Sequence, residues 1–239
     1  MEGDNAPAKY AEEWDRSSKY LYDEGFYSWM ANNLIGVRTV LEIGCGSGYS
    51  TLSLIQKGYK VIAIDKNEYC IDKAKELLAR NGYKDEVLFL HGDITNVDCV
   101  KGITEEYEYD FVVCWNIGTY WTMEMMSMYF PKMVEYGLTL SQIRSNPESS
   151  YAELMVWWVC KLAKISGVGV QIVERVEDPR NVNLNEYYNS VKQEFGFSSL
   201  AYNYTLGSTL SVGGKILKTN EKTKYETVIR LYFLSILFR

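Results

Sequence analysis

The chain is expected to fold as an α/β protein: a doubly wound, mostly parallel, seven-stranded sheet with helices on both faces and an antiparallel C-terminal strand. Three observations lead there. Short apolar runs alternate with stretches of helical periodicity from residue 38 onward, the pattern of a parallel sheet covered by helices. The run Val40-Leu41-Glu42-Ile43 passes directly into Gly44-Cys45-Gly46-Ser47-Gly48, a strand, a glycine turn and a helix start. A second run, 60–64, ends on an acid, Asp65, 21 positions after Gly44. A glycine turn admits close approach of a ligand, and an acid at that distance can accept hydrogen bonds from ribose hydroxyls.

Each element follows in order. Residues 1–9 are polar and are expected to be mobile, with no signal-peptide apolar region. Between 10 and 34, Tyr10, Trp14, Tyr20, Leu21, Phe26, Trp29, Met30 and Leu34 suggest one or two helices broken near Gly25. Strand one is placed at 38–43, and the helix after the turn runs to Lys57, where Gly58 stops it. After strand two, Asn67 is placed as the N-cap of a helix carrying Ile71, Ala74, Leu77 and Leu78, ended by Asn81-Gly82. Strands three and four are placed at 86–91 and 109–115. A strongly apolar helix at 149–165 should precede strand five at 168–175, followed by a helix at 184–195 closed by Gly196. The runs 197–206 and 226–238 read as the closing antiparallel pair, with a further hairpin around Gly213-Gly214. The division expected is an N-terminal helical cap, 1–37, and one large domain, 38–239. Residues 118–147 form extra length rich in methionine and aromatics, read as a lid or substrate insertion, with a packed surface helix as the equal alternative.

The spacing of the turn narrows the ligand. A dinucleotide fingerprint wants glycine at position 49, where this chain has Tyr49, and Glu42 just before the turn would repel a pyrophosphate. An acid there suits a cofactor with a cationic amine. The run Glu42 to Gly48 resembles the first motif of the class I S-adenosylmethionine-dependent methyltransferases. The resemblance continues through Asp65, Gly92-Asp93-Ile94 and Tyr109 to Asn116, covering roughly residues 38 to 117. It implies a Rossmann-like domain, S-adenosylmethionine as cofactor and S-adenosylhomocysteine as product. It also implies that Glu42, Gly44 and Gly46 line the methionine half, with Cys45 and Gly48 shaping the turn. Asp65 would bind the ribose, and Lys66 would flank the adenine. Asp93 would hold the adenine amino group, and Ile94 would pack on its ring. Trp115 and Asn116 would sit beside the reacting end.

Composition bounds the partners. A net charge of −6 lacks the basic field that a broad nucleic-acid footprint needs, and no apolar run approaches the ~20 residues of a membrane span. The five cysteines contain no C-x-x-C pair, which fits free thiols in a reducing cytoplasm and no metal site. Cys70 and Cys99 read as structural.

The acceptor is less legible. His91 is the single histidine, and with Asn116 and Tyr120 it is a weak candidate for catalysis. The segment Asn116-Ile117-Gly118-Thr119-Tyr120 departs from the Pro-Pro-aromatic run of amino-methylating nucleic-acid enzymes. Twenty tyrosines, many of them in 10–29 and 107–136, supply faces that stack on planar groups and attract cations. Trp14, Tyr20, Tyr120 and Trp121 are therefore the expected substrate contacts. The reading is methyl transfer to a small-molecule or peptide acceptor, amine favoured over hydroxyl. An RNA or protein methyltransferase and a non-catalytic binding module on the same fold are the alternatives. Monomer and homodimer stay open.

Overall fold

The structure, a computed structural model, describes residues 6–115, 121, 123–211 and 227–239. The elements run α1 (Ala6–Asp23), α2 (Phe26–Asn32), β1 (Thr39–Ile43), α3 (Tyr49–Gln56), β2 (Lys60–Asp65), α4 (Glu68–Arg80), β3 (Val87–His91), α5 (Val97–Glu106) and β4 (Phe111–Trp115). They continue as α6 (Met123–Tyr136), α7 (Leu140–Ser145), α8 (Pro147–Ile165), β5 (Gly169–Val176), α9 (Val182–Phe195), β6 (Leu200–Ser211) and β7 (Thr227–Phe238).

The seven strands lie in the order β3-β2-β1-β4-β5-β7-β6. β1 pairs in parallel with both β2 and β4, β4 pairs in parallel with β5, and β7 inserts antiparallel between β5 and β6. The strand order reverses between β1 and β4, which opens a crevice at their carboxyl ends. The expected sheet, including its antiparallel C-terminal strand, is the one observed.

Alternation along the central strands feeds two cores. Leu41, Ile43, Val112, Cys114, Val170 and Ile172 pack against α6, α8 and α9. Val40, Val113, Trp115, Val173 and Phe233 pack against α2 and α3. The central strands read as continuous apolar runs because both faces are covered.

Local signals set the element ends. Gly25 separates α1 from α2 at φ 78, Asn67 caps α4 by accepting from the Tyr69 N–H, and Gly196 ends α9 at φ 65. One helix went unread from the sequence: α5, capped by the Asn96 side chain, crosses between β3 and β4 with only Val100 and Ile103 buried. Its short apolar face explains the weak periodicity. β6 begins at Leu200 and runs on to Ser211, so the closing hairpin is longer than the run of 197–206 suggested. The hairpin expected around Gly213-Gly214 lies outside the described residues.

α6 and α7 occupy most of the segment read as an insertion. Tyr129, Met133 and Ile143 are buried in the larger core beside Tyr151 and Leu154 of α8. Among the described residues no helix is long and apolar enough to cross a membrane.

Candidate functional site

The glycine turn hangs from its neighbouring strand. The N–H groups of Gly44 and Cys45 both donate to the Ile64 carbonyl, at 2.8 and 3.2 Å, so the turn continues the β1–β2 ladder. Gly44, Gly46 and Gly48 all take positive φ, 76, 53 and 88, a region that costs a side-chain-bearing residue strain. Two of them are also sterically closed. A Cβ on Gly46 would sit 2.2 Å from the Trp14 indole nitrogen, and one on Gly48 would sit 2.7 Å from the Ala74 Cβ. The third glycine thus seats α4 against the turn, and the second seats the indole of α1.

Asp65 closes the turn from β2. Its Oδ2 accepts the Gly46 N–H at 2.9 Å and its Oδ1 accepts the Asn67 N–H at 2.8 Å. Burial raises its pKa, and the backbone donors of Asn67, Gly46 and Lys66 act the other way. A carboxylate offers about four lone-pair sites, and the Lys66 N–H also acts on it, so one remains for a hydroxyl donor.

Glu42 sits deeper than a ligand-lining residue would. It is 2% exposed, and its oxygens accept the Ser50 hydroxyl at 2.5 Å and the Thr51 hydroxyl at 2.6 Å. Loss of solvation pushes its pKa up to about 7 despite those donors. Its visible work is to tie the end of β1 to the first turn of α3. Ser47, between the glycines, is fully buried, and its hydroxyl has no partner among the described residues. Cys45 is buried, and burial raises its thiol pKa well above the ordinary value.

The β3 end carries the second acid. Asp93 Oδ1 accepts both the N–H and the hydroxyl of Thr95, and Oδ2 accepts the Tyr129 hydroxyl at 2.7 Å. One lone-pair site is left for a single further N–H. Ile94 beside it is buried in the larger core. Lys66 bridges from the β2 end to α6 and α8. Its ammonium donates to the Tyr151 hydroxyl at 2.7 Å and lies 4.5 and 5.0 Å from the Tyr151 and Tyr129 ring centres. Desolvation lowers its pKa to about 8. Trp121 completes the cluster, 5.4 Å from Tyr151 and 6.5 Å from Tyr129.

On the other side of the crevice the floor is aromatic. Trp115 stacks on Tyr27 at 6.1 Å and donates its indole N–H to Gln171. Tyr10 stacks on Trp14 along α1. Hydrogen bonds hold α1 in place: the Asn67 amide donates to the Pro7 carbonyl, and the Ser17 hydroxyl donates to the Leu210 carbonyl. Tyr20 meets the Ser208 hydroxyl at 2.7 Å, which anchors α1 on β6.

The structure thus gathers Trp14, Gly44, Gly46, Gly48, Asp65, Lys66, Asp93 and Trp115 along the carboxyl ends of the strands. His91 is exposed on the outermost strand, with its ring 3.0 Å from the Lys66 carbonyl, away from β4. Asn116 and Tyr120 lie outside the described residues. Sequence reasoning missed Tyr27, Ser50, Thr51, Tyr129 and Tyr151. Only Ser50 and Thr51 carried a signal, two adjacent hydroxyls one helical turn beyond the glycines. A cleft of about 380 Å3 between Tyr22, Ser28, Ser53 and Lys57 lies apart from all of these residues.

Comparison with known proteins agrees with this geometry. Residues 40–135 match the family model described as a methyltransferase domain. Over 85 residues the chain is 33% identical to "Probable protein arginine N-methyltransferase 6" of Arabidopsis thaliana, covering 35% of this chain and 19% of that protein. Over 74 residues it is 36% identical to a protein-L-isoaspartate O-methyltransferase of Christiangramia forsetii, covering 31% and 32%. The chain therefore spans under a third of the length of each of these relatives. Among solved structures it resembles TehB from Haemophilus influenzae, at 21% identity and TM-score 0.50, over 89% of this chain and 60% of that one. It also resembles precorrin-6y C5,15-methyltransferase from Geobacter metallireducens, at 7% identity and TM-score 0.50, over 89% and 85%. The sheet order, the glycine turn with its paired acids and the matched methyltransferase-domain segment agree with the resemblance to the class I S-adenosylmethionine-dependent methyltransferases.

Proposed function

We propose that the protein transfers a methyl group from S-adenosylmethionine to a small-molecule or peptide acceptor, with an amine favoured over a hydroxyl as nucleophile. The observation that carries this reading is Asp65: an acid held by the N–H groups of Gly46 in the turn and of Asn67 after β2, with acceptor capacity left over. The residues present fit the donor. Asp65 has room for a ribose hydroxyl, and Asp93 has room for one exocyclic N–H. The three glycines of the turn, with positive φ, leave its backbone open to polar contacts.

Bound S-adenosylmethionine supplies a sulfonium methyl that is already an activated electrophile. The chain's own residues then have to align the acceptor and exclude water. Trp14 and Tyr10 from α1 supply an aromatic wall for that purpose, over the buried Tyr27–Trp115 pair. The preference for an amine rests on proton handling. A hydroxyl nucleophile commonly needs a histidine base, and the single histidine stands on β3, at the far edge from β4. A neutral amine carries its own lone pair to the methyl. A peptide acceptor stays within the proposal because the two relatives bear protein-methylating names.

Incubation with methyl-labelled S-adenosylmethionine and a panel of amines, phenols and carboxylic acids tests this. Label on amines supports the reading. Label confined to hydroxyl or carboxyl compounds overturns the amine preference, and absence of S-adenosylhomocysteine binding overturns the whole.

A further inference from the structure

Resting on the methyltransferase reading, we infer that Arg175 anchors a carboxylate of the acceptor. Arg175 is the penultimate residue of β5, at the carboxyl end of a strand flanked by β4 and β7. Trp115, the last residue of β4, is in register with Val173, so Arg175 lies just beyond the end of β4. Alternation puts it on the same face as Val173, which packs with Tyr27 and Trp115 under α1 and α2. The glycine turn, Asp65 and Asp93 occupy the ends of β1, β2 and β3. That leaves the ends of β4 and β5 for the acceptor.

Its electrostatic setting is unlike that of every other charge at this end of the sheet. Glu42, Asp65, Lys66 and Asp93 each hold hydrogen-bond partners. Arg175 is half-buried, and among the described residues it has neither an ion pair nor a hydrogen bond. The titratable groups near enough to act on it are Tyr10 of α1, Tyr27 of α2 and Glu148 at the start of α8. A partly desolvated guanidinium with no partner is costly to keep, and its planar fork matches a carboxylate through two parallel hydrogen bonds. The half-buried Tyr10–Trp14 pair of α1 stacks at an interplanar angle of 4°, and the buried Tyr27–Trp115 pair at 17°. A cation at the edge of flat apolar faces selects a planar acid, oriented so that its far end points toward the glycine turn.

The test uses the full chain saturated with S-adenosylhomocysteine, with benzoate and benzamide as probes and tryptophan fluorescence as readout. Benzoate should bind saturably and at least about tenfold tighter than benzamide, the scale of one charge-assisted contact. Arg175→Met should abolish that difference, and Arg175→Lys should restore part of it. Affinity for S-adenosylhomocysteine should be unchanged in both variants. Equal binding of the two probes, no binding of benzoate, or unaltered benzoate binding by Arg175→Met overturns the assignment. A loss of S-adenosylhomocysteine affinity that spares 5′-methylthioadenosine, which lacks the amino-acid end, also overturns it and gives the arginine to the donor's own carboxylate. If the wild type binds no S-adenosylhomocysteine, it is the methyltransferase reading that fails.

Discussion

The two halves of the crevice are built by different means. On the donor side, over β1, β2 and β3, the acids are held largely within the strand–turn–helix units that carry them, with Tyr129 on Asp93 and Tyr151 on Lys66 as the distant contacts. Asp65 is fixed by Gly46 and Asn67, Glu42 by Ser50 and Thr51, and Asp93 by Thr95. On the acceptor side, over β4 and β5, the contacts join residues far apart in the chain. Tyr27 stacks on Trp115, Gln171 bonds both Trp115 and the Met30 carbonyl, and Trp14 lies on Gly46. A site made of local turns keeps its geometry wherever the motif occurs. A site made of helix-borne rings depends on how α1, α2 and α6 settle on the sheet, and so can change from one chain to another.

The largest expected effect breaks the seam between the halves. Gly46→Ala forces a side chain into a left-handed turn and against the Trp14 indole. It should destabilise the fold by about 3 kcal/mol, from backbone strain and overpacking together. Denaturant unfolding checks this. Adding Trp14→Ala should recover the packing part of the loss while the strain part stays, so the two changes should be strongly non-additive.

Glu42 sharpens the donor side. Its folded pKa, about 7, lies above the unfolded value of 4.5. The native state therefore holds a proton that the unfolded state releases. That stability is fully present below about pH 4.5 and is lost as pH rises through 7. The change should approach about 3 kcal/mol at most, and Glu42→Gln should flatten it. Thermal melts across pH 4–8 would show it. A wild-type profile no steeper than that of Glu42→Gln contradicts a buried, protonatable Glu42.

The smallest effect lies on the edge of α6. Tyr129→Phe removes the hydroxyl donor on Asp93 and should cost about 1 kcal/mol of stability. It frees a lone pair on the acid, so affinity for S-adenosylhomocysteine should hold or tighten. A tenfold loss would mean that the hydroxyl itself belongs to the donor site.

The same contrast explains what could be read in advance. The glycine turn, the Asn67 cap and the stops at Gly58, Asn81 and Gly196 act within a few residues, and Asp65 stands at a fixed spacing from the turn, so the sequence exposes them. Glu42 was legible as an acid at the right place, but its burial under Ser50 and Thr51 depends on how α3 lands on β1. Tyr27, Tyr129, Tyr151 and Arg175 carry no local signature. An arginine near the end of a strand reads as an ordinary edge residue until the sheet order places β5 beside β4. Tyr20 was expected at the substrate, yet its hydroxyl is spent on Ser208 of β6, a pairing 188 positions away that no periodicity announces.

The central claim is that the donor half binds the methyl donor through Asp65. Titration calorimetry of S-adenosylhomocysteine into the full chain tests it most directly. The wild type should saturate at one equivalent, and Asp65→Ala should bind at least about tenfold more weakly, the scale of one charge-assisted hydrogen bond. No saturable heat with the wild type, or equal affinity in the variant, would contradict it.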